Sequence, residues 1–246
     1  MKTLKKATKI LIGVVMPLIM LVFIVLGVEL FSGDRAWLRA EYEKLDINSY
    51  TGMSTNDMVR AFMQMVDYMQ GDADSMHVTV TVNGEETEMY NEREISHMVD
   101  VRALYKKVMI GKGVVIGLAA LALLAVVFVP RDAETRRELL RFTAKAAIFA
   151  FVGILIFLLA LGLWAAVDFD SFWAAFHVVF LDLESSTFDP AVSRMIRICP
   201  AELFADMVLR IFIFGLGLGA ATALAGALYL IISKRREKKA GDPART

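Results

Sequence analysis

The stretch EISHMVDV, Glu94 to Val101, sets His97 and Asp100 three residues apart just ahead of a long apolar run. On a helix, residues three apart share a face, so the Asp100 carboxylate can accept from an imidazole N–H, fix its tautomer and favour its charged form. A second histidine, His177, sits in DFDSFWAAFHVVFLDL among Phe169, Phe172, Trp173, Phe176 and Phe180. Histidine has an ordinary pKa of about 6.5, so one residue type can serve as base and as acid at neutral pH. Two histidines and an aspartate suit acyl transfer, where one group takes a proton from the attacking atom and another returns one to the leaving oxygen. No nucleophile elbow accompanies them. Ser96 points away from His97 on a helix, and Cys199 has no base beside it in sequence. Direct attack by the substrate, without an acyl-enzyme, is therefore the simpler chemistry. The same residues could instead bind a divalent metal as two imidazoles and a carboxylate. Against that, His/Asp pairs at this spacing are common on helices without metal, and no further ligand is signposted.

The elements that must hold these groups are membrane spans. Of the 246 residues 57% are hydrophobic, and four apolar runs approach or exceed the length of roughly 20 residues that crosses a bilayer as helix. They are Ile10–Phe31, Val108–Val129, Phe142–Val167 and Leu209–Ser233. The formal charge is zero, but its distribution is uneven. The start MKTLKKATK, the connection PRDAETRRELLR and the tail from Lys234 are rich in lysine and arginine. Residues 32–107 hold 14 acids against 8 bases and residues 168–208 hold 7 against 2, so the basic segments belong in the cytoplasm and these two outside. The expected layout is a cytoplasmic start at 1–9, spans at 10–31, 108–129, 142–167 and 209–233, and an inner loop at 130–141. Outer segments at 32–107 and 168–208 and an inner tail at 234–246 complete it. The first run is about twice the usual length of a signal-peptide core and no small-x-small cleavage site closes it, so it reads as an uncleaved anchor.

The first outer segment predicts a small folded cap. In MSTNDMVRAFMQMVDYMQGD, Ser54 caps a helix with Asp57 three residues on, Met58, Phe62, Met65, Val66 and Met69 share one face, and Gly71 ends it. In MHVTVTVNGEETEMY the alternation around Asn83-Gly84 is a hairpin signal, with Met76, Val78, Val80 and Val82 on one face. His77 falls with Thr79 and Thr81 on the other face and reads as solvated. The hairpin leads into NEREISHMVDVRALYKKVM, a helix that merges with the second span. In the second outer segment the aromatic set suits a helix at headgroup level, Asp189-Pro190 reads as a turn, and Pro200 starts a helix feeding the fourth span. The fold class is thus an all-α polytopic membrane protein, four transmembrane helices with a small α+β extracytoplasmic cap (helix plus β-hairpin) between spans 1 and 2.

Several function classes fall away. One cysteine excludes an intrachain disulfide framework and a multi-cysteine zinc site. No glycine-rich phosphate loop, dinucleotide motif or external basic patch supports nucleotide-driven work or nucleic-acid binding. No cofactor is called for. Glycines in GLGLGAATALAG read as sites of close helix packing. A non-enzymatic rival remains: a membrane accessory or sensor whose cap binds a lipid or peptide while the histidines respond to pH.

Taken together, EREISHMVDV, FHVVFLDLESSTFDPAVSRMIRICPAELF, the Ser54-led helix ending YMQGD and four spans in this order resemble the bacterial four-span membrane family that includes the lipoprotein intramolecular transacylase. The resemblance covers most of the chain. It implies an acyltransferase whose substrates are diacylglyceryl-modified lipoproteins. The sn-2 acyl chain of the S-diacylglyceryl group moves to the α-amine of the N-terminal cysteine, giving the lyso-form lipoprotein. It implies His97 and His177 as the functional histidines, with Asp100 orienting, and leaves open which is base and which is acid. Arg93, one turn before His97, reads as a solvated helix charge and alternatively as a stabiliser of developing negative charge. The family pattern carries an acidic residue where this chain has Ser193. The implied setting is the bacterial cell membrane, multi-pass, with both termini cytoplasmic, the catalytic side extracytoplasmic and membrane lipid around it.

Overall fold

The computed structural model describes residues 2–181 and 188–240. Residues 182–187, inside the FHVVFLDLESSTF stretch, lie outside the described residues. Among the described residues four helices are long and apolar enough to cross a membrane: Lys2–Phe31, Glu92–Phe128, Ala133–Val167 and Ala201–Glu237. In chain order the elements are α1 (Lys2–Phe31), α2 (Arg35–Lys44), α3 (Asn48–Thr51), α4 (Thr55–Gln70), β1 (Thr79–Val82), β2 (Glu85–Glu88), α5 (Glu92–Phe128), α6 (Ala133–Val167), α7 (Phe169–Phe180), α8 (Arg194–Ile198) and α9 (Ala201–Ala240). The expected class holds, with a two-stranded sheet between the first and second long helices. The chain divides into two units.

The first unit comprises Met1–Gly27, Gly111–Leu161 and Phe212–Thr246. A cluster of Ile12, Ala122 and Val126 lies at its core, with Leu140 and Phe142 against it. Small residues let backbones approach. A Cβ on Gly226 would stand 2.8 Å from the Ala144 carbonyl oxygen, and one on Gly215 would stand 3.0 Å from the Ile24 Cα. Close packing of this kind is the main source of helix association in lipid, where burial of apolar surface from water offers no drive between helices. Near the chain start Lys5 and Lys9 both reach Glu138, at 2.6 and 2.5 Å.

The second unit comprises Val28–Ile110 and Gly162–Ile211. Asp34 caps α2 by accepting from the Trp37 N–H at 3.1 Å, and its other oxygen holds Arg210 at 2.7 Å. These two bonds hold the Asp34 carboxyl below the usual carboxylate range. Ser54 caps α4 as expected, accepting from the Asp57 N–H at 3.1 Å and donating to its carboxylate at 2.8 Å. The buried face of α4 is wider than the methionine spacing indicates: Val59, Ala61 and Met63 join Met58, Phe62 and Val66, while Met65 and Met69 are half-buried. Two neighbours explain the extra width, since α2 and the hairpin both pack on this helix. Asn83 and Gly84 form the hairpin turn with positive φ at both positions, the geometry that fits strand twist. Tyr90 follows the hairpin and donates from its buried hydroxyl to the Ala61 carbonyl at 2.7 Å. His77 is exposed, 3.4 Å from a Glu88 oxygen.

Candidate active site

Both candidate histidines belong to the second unit. His97 lies near the start of α5, where Asn91 and Glu94 make a reciprocal cap. The Asn91 side chain accepts from the Glu94 N–H at 3.0 Å, and the Glu94 carboxylate accepts from the Asn91 N–H at 2.8 Å. Glu94, His97 and Met98 are buried on one face of the helix. His177 lies on α7, whose N-terminus is capped by Asp168 accepting from the Ser171 N–H at 3.0 Å. The structure brings the two imidazoles together, with ring centroids 6.4 Å apart and planes at 34°. His97 is 9% exposed and His177 4%.

Aromatic rings form the walls. Trp173 stands edge-on to His177 at 4.5 Å, and Phe176 does so at 5.5 Å. Phe188 packs edge-on against His97 at 5.3 Å. Phe169 stacks on Trp173 at 5.6 Å, and Phe204 closes on Trp173 from α9 at 5.5 Å. Phe169, Phe176 and Phe180 keep much of their surface outward. Water is scarce around such rings, and electrostatic contacts made there are correspondingly strong.

The two histidines are held differently. His177 Nδ1 lies 2.7 Å from the Trp173 carbonyl, one turn back on its own helix. A carbonyl only accepts, so Nδ1 is committed as donor and Nε2 alone faces other chemistry. His97 Nδ1 is buried and has no hydrogen-bond partner among the described residues. Asp100 follows one turn later and is half-buried; its influence on His97 is Coulombic rather than a bond to Nδ1. Arg93 is exposed and lies over the Phe188 ring at 5.6 Å. Among the described residues no group of three or more His, Cys, Asp or Glu is arranged to hold a metal ion. Cys199 is free and half-buried, and desolvation by its neighbours pushes its thiol up to about 12, which leaves it a neutral, poor nucleophile.

Two residues escaped the sequence reading. Glu94 is 1% exposed, and its Oε1 accepts from the Ser193 hydroxyl at 2.5 Å and from the Met195 N–H at 2.9 Å. The signal that could have found the capping half of its role is the N-x-x-E spacing of Asn91 and Glu94. Phe188 stands just before the Asp189-Pro190 turn, and nothing in its spacing pointed to His97.

The model of the family Lipoprotein intramolecular transacylase Lit matches residues 12–204, well over half of the chain. The chain belongs to the lipoprotein intramolecular transacylase family. That makes it a member of an acyltransferase family, as the resemblance implied. Among solved structures, the membrane-integral lipoprotein intramolecular transacylase from Bacillus cereus is similar with a TM-score of 0.72 at 18% identity, over 96% of this chain and 100% of that one. A variant of that enzyme with a histidine replaced by alanine gives a TM-score of 0.68 at 17% identity, over 96% of this chain and 97% of that one. These likenesses concern the fold. No curated protein sequence matches the chain.

Proposed function

We propose that this member of the family transfers an acyl chain within a bacterial lipoprotein, from the sn-2 position of the S-diacylglyceryl group to the α-amine of the N-terminal cysteine. His97, His177 and Asp100 carry the chemistry. The observation that supports the reading best is the buried pair of imidazoles, 6.4 Å apart, with a committed Nδ1 on one ring and an unpartnered Nδ1 on the other. Two imidazoles this close share one positive charge at lower cost than two. His97, among aromatic rings, is the neutral base, and His177 is the acid.

The steps balance. The α-amine attacks the sn-2 ester carbonyl, a C–N bond forms, and His97 takes the proton that the nitrogen sheds. As that proton moves, the tetrahedral intermediate expels the glyceryl oxygen, the C–O bond breaks, and His177 gives that oxygen the proton on Nε2, so the pair carries one positive charge throughout. Asp100 favours His97 while it is charged. A proton passed from His97 to His177 resets the pair. Amine and ester belong to one molecule, so holding them together replaces a bimolecular encounter, and the α-amine, with a pKa near 8, needs only modest help to react.

The setting is part of the proposal. The spans are 10–31, 108–129, 142–167 and 209–233, both termini are cytoplasmic, and the site opens on the outer side, where the aromatic helix meets lipid headgroups. The charge asymmetry of the connecting segments supports this orientation. The test is mass spectrometry of a lipoprotein N-terminal peptide from cells that lack their own N-acylating enzymes. The host makes either the intact protein or its His97→Ala/His177→Ala form. An N-acyl, mono-O-acyl peptide is expected with the intact protein alone. An unchanged diacylglyceryl peptide in both, with protein in the membrane, would refute transfer and favour an accessory or sensor role.

A further inference from the structure

Glu94 is a large commitment for a protein to make: a carboxylate 1% exposed, one helical turn before His97. Burying it costs free energy unless its oxygens are well served by donors. Three donors among the described residues serve them. Oε2 takes the Asn91 N–H, and Oε1 takes the Ser193 hydroxyl and the Met195 N–H. The Asn91 bond is a local cap that many helices possess. The other two reach across 99 and 101 residues of sequence and fasten the start of α8 to the start of α5.

What is fastened matters for His97. Ser193 is the N-cap of α8 and accepts from the Ile196 N–H at 3.4 Å while donating to Glu94. Immediately before it, residues 189–193 form a bonded turn. Val192 and Ser193 N–H both donate to the Asp189 carbonyl at 3.0 and 2.8 Å, and the Ala191 N–H donates to the Asp189 carboxylate at 2.8 Å. The residue before that turn is Phe188, whose edge-on contact forms one wall against His97. A continuous bonded route therefore runs from Glu94 through Ser193 and the turn to Phe188, and back across the ring contact to His97.

We propose that Glu94 is a positioning residue for the transfer reaction, acting through Ser193 to hold Phe188 and the His97 imidazole in register. The inference rests on the functional reading above. Glutamine at this position keeps one accepting oxygen but turns an amide donor toward one of the three donors, so at least one buried bond is lost. Misplacing a reacting group by an ångström costs about 100-fold in rate, because the near-attack geometry is lost while substrate is still bound.

The experiment uses the full-length protein in detergent with a synthetic diacylglyceryl-cysteine lipopeptide, and follows N-acylation by mass spectrometry. Glu94→Gln should lower kcat by about 100-fold with KM within about threefold of wild type. Ser193→Ala should lower kcat by a smaller factor, and combining it with Glu94→Gln should cost less than the sum of the two losses, since both variants weaken one bonded network. Ser54→Ala, which removes a remote helix cap, is the control for a purely structural loss: it lowers the melting temperature and leaves kcat unchanged. A second readout is independent of turnover. The rate at which diethylpyrocarbonate modifies His97 should rise in Glu94→Gln and stay at the wild-type value in Ser54→Ala. Full kcat in Glu94→Gln, additive losses with Ser193→Ala, or an unchanged modification rate would each overturn the positioning role. An inert wild type would instead overturn the functional reading, and the modification rates would still decide whether Glu94 places His97.

Discussion

His177→Asn separates the two jobs of one imidazole. In the native ring Nδ1 donates to the Trp173 carbonyl at 2.7 Å, and Nε2 is the atom that the proposed acid role uses. An asparagine amide group sits where Nδ1 does and can keep that bond, while nothing replaces Nε2. The stability change should therefore be small, within about 1 kcal/mol, the usual net value of one hydrogen bond. The catalytic loss should be large. General acid catalysis contributes about 10²–10⁴ in rate, equal to about 3–5.5 kcal/mol of barrier at 1.36 kcal/mol per tenfold. His177→Gln reverses the arrangement, offering an amide near Nε2 and giving up the Trp173 bond. It should also fail, since an amide does not release a proton to an alkoxide. Turnover of a diacylglyceryl lipopeptide measures the first quantity and thermal unfolding in detergent the second. A His177→Asn enzyme that unfolds like wild type and keeps more than about a tenth of its turnover would refute the acid role, because even the low end of the general-acid contribution is larger.

Gly226→Ala places a methyl 2.8 Å from the Ala144 carbonyl oxygen and should cost about 1–3 kcal/mol as overpacking, read as a lower melting temperature without a change in KM. Tyr90→Phe removes the donor to the Ala61 carbonyl and should cost about 1 kcal/mol by the same assay. Cys199 should resist maleimide in folded protein at pH 8 and react at once after unfolding in SDS, since burial keeps it a thiol up to about 12. A thiol that ionises near pH 8.5 when unfolded and only near 12 when folded contributes stability below 8.5 that is lost as pH rises through that window, so unfolding should become easier in alkali.

Much of this was legible in the chain because it is written locally. The four spans follow from runs of apolar residues, the hairpin from Asn83-Gly84 between alternating segments, and the α4 cap from Ser54 ahead of Asp57. His97 and His177 stood out because a polar ring beside apolar surface needs a reason. Their meeting did not stand out, since 80 residues of chain separate them and no local pattern encodes which helix faces which. Helix α2 was missed for a related reason. Its sequence, RAWLRAEYEK, is mostly charged and polar; it is held by a cap on Asp34, by burial of Leu38 and Tyr42, and by packing on α4, none of which its own residues spell out. Glu94 combined both kinds of information. Its cap is readable from Asn91 three residues earlier, whereas its bonds to Ser193 and Met195 exist only once the fold has formed.

The bond between His177 and the Trp173 carbonyl joins two residues four apart on one helix. The aim of that imidazole is therefore set by a single helical turn and not by a distant neighbour. Half of the histidine pair is carried on its own mount, so the ring keeps its heading relative to α7 whatever the helix packs against. Alignment of the other half depends on a longer chain of contacts, and the enzyme's sensitivity to damage should be concentrated there.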